Sequence, residues 1–290
     1  MGLRTKFNLI LLVAVLVGLA VFAAVATPVL NGLARDEVLQ DSRLVMETAT
    51  GARDYTAAEI EPLLAPGMGP TFRPQAVSAY AAKKVLAGLH AKFPDYSYRE
   101  AALNPTNLDD KATDWETDII QDFRAHPQKQ EAVLERQTPE GAALVLARPL
   151  SAAPACLACH SAPTAAPASM IAIYGPRNGF GWQANEVIGA QIVSVPTSVP
   201  QARADHGRLL LLGAVAAVFA LVFLLLNLLL GFTVIEPIDR MSQAAEAVSL
   251  GKMETPEYVR TGSDQIARLS SAINRLRRSL QEALRMLSDP

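Results

Sequence analysis

The chain has 290 residues, half of them hydrophobic, with 19% charged and 6% aromatic. That apolar content excludes a disordered chain, and two cysteines exclude a disulfide scaffold. A net charge of −2 with a pI near 6.1 argues against a nucleic-acid partner. The apolar excess is concentrated in two windows, which predicts a membrane protein with a soluble middle.

The first window runs from Phe7 to about Leu30 without a charge, preceded by Arg4 and Lys6. The second runs from Leu209 to Ile235, with Asn227 as its strongly polar member. Both exceed the roughly 20 apolar residues a helix needs to cross a bilayer. A cleavable signal peptide is the rival reading of the first window, with residues 1–26 removed after Ala24-Val25-Ala26. The window is longer than a signal peptide's apolar region, which favours an uncleaved anchor.

The expected division is an N-terminal anchor over 1–30, an outer domain over 31–207, a second span over 208–235 and an inner end over 236–290. Residues 31–207 hold 15 Lys+Arg and 20 Asp+Glu, while 231–290 hold eight of each. The positive-inside rule then places both termini in the cytoplasm and the acidic middle outside. In a bacterium the middle is periplasmic and the membrane is the inner one.

Within the middle, residues 31–63 read as a helix continuing from the span, with Val38, Leu39, Val45, Met46 and Ala49 at helical spacing and an end near Pro62. A second helix is predicted over about 75–92. An extended start is predicted for Asp95–Leu103, where Tyr96 and Tyr98 alternate. Residues 109–136 have a helical pattern with Trp115, Ile119, Ile120 and Phe123 on one face. Three later stretches read as strands: Ala142–Ala147, Ser169–Tyr174 and Val187–Val195. Helices first and antiparallel strands later predict an α+β fold.

Both cysteines lie in Cys156-Leu157-Ala158-Cys159-His160, the C-x-x-C-H spacing of c-type haem attachment. The two thiols add across the two haem vinyl groups, and the following histidine reaches the iron as proximal ligand. One covalent haem is therefore expected, held by Cys156, Cys159 and His160. A redox dithiol should open a helix after a strand, whereas the Pro- and Ala-rich flanks here read as a loop. Zinc would need further cysteines or clustered histidines. For the sixth iron position the candidates are His90, His126, His206 and methionines such as Met46. Each taken singly reads more readily as an ordinary helix or surface residue, and an open position would suit a gas ligand.

Several short pieces together resemble the periplasmic c-type-haem sensor domains of bacteria. They are ArgAspTyrThr at 53–56, ProAspTyrSerTyrArgGluAlaAla at 94–102, AsnProThrAsn at 104–107, Trp115-Glu116, the haem motif, Tyr174-Gly175, GlyPheGlyTrp at 179–182 and GluValIleGlyAlaGln at 186–191. The resemblance implies haem c against a PAS-like sheet, with a distal ligand from the long first helix, where Met46 ranks above His90. A cysteine can occupy that place in relatives; this chain has none to spare, so its iron would be ligated differently or left open.

After the second span, Glu236-Pro237-Ile238 opens a helical run to Leu250, and Gly251 breaks it. A connector over about 252–262 precedes a second helix capped by Ser263. Its apolar residues Ile266, Leu269, Ile273, Leu276, Leu280 and Leu287 keep heptad spacing, which predicts a coiled-coil seam. Pro237, the Gly251-x-Met253 turn and Asp264-Gln265-Ile266 resemble the HAMP module; Gln265 and Ala267 depart from its usual acidic residue and glycine. The resemblance implies a homodimer pairing as a four-helix bundle. With the chain stopping at Pro290, output is expected through a separate cytoplasmic signalling protein.

The function expected is a membrane-bound haem sensor that turns a redox or diatomic-gas signal into a shift of the cytoplasmic bundle. The alternative is an anchored cytochrome for periplasmic electron transfer, which leaves 236–287 without a role. No acid/base constellation for an enzyme is found beside the haem motif.

Overall fold

The structure, a computed structural model, describes residues 2–68, 71–252, 254 and 256–288. It divides into two compact units, Thr27–Gly207 and a second formed by Met1–Ala26 with Arg208–Pro290.

Helix α1 (Leu3–Tyr55), which belongs to the first unit from Thr27 on, passes through a wide π-turn at Thr56–Ile60 into α2 (Glu61–Met68). The expected end near Pro62 is thus not observed. Proline lacks the N–H for a regular helical bond, and the wide turn just before it takes up the mismatch. Helix α3 (Ser78–His90) and strand β1 (Ser97–Ala102) follow as expected. The helix predicted over 109–136 is α4 (Asp114–Ala125), and its tail is instead strand β2 (Ala132–Thr138). A capping box, Thr113 with Glu116, starts α4. Strand β3 spans Gly141–Ser151. A helical turn α5 (Leu157–His160), a short helix α6 (Ala168–Tyr174) and strand β4 (Val187–Pro196) complete the domain.

The strand expected at Ser169–Tyr174 is therefore a helix. A short apolar run does not reveal its period, and the boundaries decide: Pro167 precedes the helix and Gly175, at φ 80°, ends it.

The sheet is antiparallel in the order β1-β4-β3-β2. One face carries Leu144, Leu146, Val193 and Val195 against Val38, Leu39, Val45, Met46 and Ala49 of α1 and Ala82 and Leu86 of α3. The other carries Ala143, Val145, Ala147, Ala190 and Ile192 against Ile119, Ile120 and Phe123 of α4. The central strands are apolar on both faces, so they read as continuous runs rather than alternating ones. Strand β2 lies at an edge and carries Glu135, Arg136 and Gln137, which hid it in the sequence. The neighbours β3 and β4 are joined through 35 residues, 152–186, closed at the base where Ala152 N donates to Glu186 O and Asn185 N to Ala152 O.

Ion pairs tie α1 to the sheet. Arg43 reaches Glu131 at 2.8 Å, and Arg148 reaches Glu131 at 3.3 Å and Glu47 at 2.6 Å. Burial pushes the Glu131 carboxyl up, but the hydrogen bonds and charges of Arg43 and Arg148 outweigh it and hold it below its ordinary value. A carboxylate depressed in the folded state stabilises above its unfolded pKa and loses that contribution as pH falls through the folded value. Glu131→Gln is therefore expected to flatten the loss of stability below about pH 4.3. Urea midpoints at pH 6 and pH 3.5 check this; an unchanged difference between the two would contradict it.

Helix α7 (Ser198–Leu230) starts in the first unit and from Arg208 on belongs to the second; it leads through a π-turn at Gly231–Ile235 into α8 (Glu236–Ser249), and α9 (Gln265–Ser288) follows a connector. Two continuous helical stretches, Arg4–Leu64 and Ser198–Ser249, are long and apolar enough to cross a membrane by length and composition. Asp264, not Ser263, caps α9, accepting from Ala267 N at 2.7 Å. The buried face of α9 is Ala267, Ser270, Asn274 and Arg277. Ser270 and Asn274 both donate to Tyr258 O of the connector, at 2.6 and 2.9 Å. Leu269, Leu276 and Leu280 of the expected seam are exposed. Met253 and the side chain of Leu287 lie outside the described residues.

Candidate functional site

The loop between β3 and β4 carries the C-x-x-C-H motif. A 3-10 turn over Pro154–Cys156 runs directly into α5. Cys156 and Cys159, three residues apart on this turn, share a side of it. Both are free thiols, each half-buried. The expected loop is thus a helical turn after a strand, so local structure alone does not distinguish the motif from a redox dithiol. Burial first, then the charges of Glu61 and Cys156, push the Cys159 thiol up.

His160 is held from three sides. Its Nδ1 lies 2.7 Å from Gly179 O and 3.3 Å from Thr106 Oγ1. The ring stacks on Trp182, with centroids 4.0 Å apart and planes 13° from parallel. Trp182 N donates to His160 O, and Gly181 N to Ser161 O. Burial pushes the His160 pKa down, against the opposing bond to Gly179. Burial thus favours the neutral ring. With Nδ1 donating to the Gly179 carbonyl, Nε2 keeps its lone pair for a ligand; the tautomer follows from that bond.

Asn104 holds the loop in turn. Its Oδ1 accepts from Gly179 N at 3.0 Å, and its Nδ2 donates to Phe180 O at 3.2 Å. Gly179 has φ 80°, and a Cβ there would run onto Thr106 Oγ1 and come within 2.8 Å of the Thr106 backbone. The segments AsnProThrAsn and GlyPheGlyTrp thus converge on the motif histidine. The sequence flagged both segments without giving them this role; the glycines at 175, 179 and 181 were the available signal.

The other histidines lie elsewhere. His90, exposed at the end of α3, has Nδ1 3.0 Å from Tyr96 O. His126, exposed after α4, pairs with Asp122. His206 is exposed on α7. Met46 is fully buried in the aliphatic cluster between α1, α3 and the sheet.

A second polar cluster lies on that same sheet face. Arg53 of α1 pairs with the buried Glu100 at 2.6 Å, Tyr98 donates to Glu100 at 2.8 Å, and Gln191 donates to Tyr98 at 2.9 Å. Burial and the Glu100 charge push the Tyr98 hydroxyl far up, so it remains a donor. Register places Arg148, Gln191 and Glu100 side by side across three strands.

The residues able to hold the expected cofactor are Cys156, Cys159 and His160. They fit it: two unpaired thiols lie on one helical turn, beside an imidazole fixed in orientation through Nδ1. Among the described residues no group of three or more His, Cys, Asp or Glu forms a site for a bare metal ion.

An α+β domain with a tethered motif histidine, joined to two long apolar helices and a helical hairpin, defines the class of this molecule. A HAMP domain matches residues 229–282. The Tll0287-like family matches residues 31–196, and the chain belongs to that family. Among solved structures, the crystal structure of the cyanobacterial haem protein Tll0287 is similar at 20% identity, covering 55% of this chain and 95% of its own, with a TM-score of 0.44. No curated protein matches.

Proposed function

We propose that this protein is a membrane-bound sensor carrying one haem c on Cys156, Cys159 and His160, which passes a change at the haem to its HAMP domain. The observation that carries the reading is the clamped His160 directly after two free thiols on a single turn. When bound, haem supplies an iron that takes up one electron or a diatomic ligand such as NO, CO or O2. The chain's own residues hold the thioether carbons, present Nε2 and shield the imidazole with Trp182. We assign no catalytic role. Met46 lies among apolar side chains and His90 turns to Tyr96, so neither would serve as a further ligand to the haem.

Transmission is supported by a joint inside the outer unit. Arg203 of α7 pairs with Glu37 and Asp41 of α1, each at 3.1 Å, and donates to Tyr96, which donates to Asp41. A shift of α1 is thereby shared with α7. The exposed Leu269, Leu276 and Leu280 support pairing of two copies through α9. We place residues 31–207 in the periplasm and both termini in the cytoplasm.

The test uses the full chain purified in detergent from a host that attaches haem c. Wild type is expected to keep its haem through denaturing electrophoresis. Cys156→Ser with Cys159→Ser is expected to lose it, and His160→Ala to keep it with an altered iron spectrum. Met46→Leu is expected to leave the spectrum unchanged. Distances between spin labels on α8 and α9 should differ between oxidised, reduced and NO-bound protein; identical distances would overturn the sensor reading.

A further inference from the structure

We propose that Asn104 is a positioning residue that sets the electron donation of His160 by pinning the peptide to which His160 is hydrogen-bonded. The inference rests on the haem reading above and concerns a residue one step further out.

The Gly179 carbonyl accepts from His160 Nδ1 at 2.7 Å and belongs to the peptide joining Gly179 to Phe180. Asn104 grips the chain on both sides of that peptide, taking the Gly179 N–H and giving a hydrogen to the Phe180 carbonyl. Gly179 and Gly181 both have positive φ, so the backbone alone leaves this segment many conformations. One side-chain amide removes that freedom and fixes the carbonyl's direction. A stronger Nδ1–H···O bond makes an imidazole a better donor through Nε2, which favours the oxidised state of a bound metal. Thr106 Oγ1, at 3.3 Å, is the weaker neighbour of the same nitrogen. Asn104 touches neither the thiols nor Nε2, so its effect is transmitted through the peptide.

The experiment compares haem-loaded, full-length wild type with Asn104→Ala. It reads the midpoint potential and, by NMR, the solvent exchange of the His160 Nδ1 proton. The expected result is a shift of at least about tenfold toward the reduced state, about 59 mV for one electron, with faster proton exchange. Thr113→Ala, which removes the capping side chain of α4, is the control; it should lower thermal stability without moving either readout. If Asn104→Ala fails to take up haem, Asn104→Ser, whose hydroxyl cannot span both sides, is read on the same two measures. Haem-loaded Asn104 variants that match wild type on both overturn this inference and leave the haem reading standing. A wild type that carries no haem overturns both.

Discussion

Gly179→Ala is expected to destabilise the outer domain by about 3 kcal/mol and to prevent stable seating of His160. Two costs combine. A residue with a Cβ at φ 80° costs about 1–2 kcal/mol. The new Cβ also meets the Thr106 backbone at 2.8 Å, and overpacking of this kind costs about 1–3 kcal/mol. Thr106 cannot retreat freely, because it lies between the end of β1 and the helical turn at Leu108–Asp110. Gly181→Ala is the comparison: φ is 79°, but nothing lies within 4 Å. It carries only the conformational cost, about 1 kcal/mol. Thermal unfolding of the two variants, with the yield of haem-bearing protein, checks the prediction. Equal effects would mean that the Thr106 contact does not constrain the loop.

Arg53→Ala is the other large effect. The Glu100 side chain is only 5% exposed and Arg53 is its cationic partner. Removing one member of a buried pair leaves an uncompensated charge, at about 3–5 kcal/mol. The Tyr98 hydroxyl remains on Glu100 and offsets part of this, so a loss of about 3 kcal/mol is expected. Replacing both partners by apolar residues, Arg53→Met with Glu100→Met, should recover most of it, because the desolvation cost disappears with the charges. Arg43→Ala makes a useful contrast. Its side chain is 48% exposed, and surface pairs contribute about 1 kcal/mol or less. Urea unfolding of the three variants and wild type measures all of this. A loss in Arg53→Ala no larger than in Arg43→Ala would show that water reaches Glu100.

The elements visible in the sequence were those whose pattern is strong and local. Helix α1 announced itself through Val38, Leu39, Val45 and Met46, and α4 through Trp115, Ile119, Ile120 and Phe123. The elements that escaped are decided by neighbours or boundaries. Strand β2 exists because β3 pairs with it, despite Glu135 and Arg136. Helix α6 exists because Pro167 and Gly175 frame a run that would otherwise suit a strand. On α9 the heptad leucines were legible, but the face buried within the chain is Ala267, Ser270, Asn274 and Arg277, which no hydrophobic period marks. At the site, Cys156, Cys159 and His160 follow from spacing. Asn104 and Trp182 do not: Asn104 bears on His160 through Gly179 from 56 residues before it, and Trp182 stacks on it from 22 after.

The long connection between β3 and β4 has a consequence for folding order. Adjacent antiparallel strands usually join through two to five residues. Here 152–186 intervene, and by loop-closure entropy that adds roughly 2 kcal/mol before any bond between the strands forms. Strands β2 and β3 meet through a tight turn, with Thr138 opposite Gly141, so they are expected to pair first. The centre of the sheet then closes late, when β4 arrives from far along the chain. The grip of Asn104 on Gly179 and Phe180, which comes from the chain just after β1 and so needs β1 set against β4, is then among the last parts to lock.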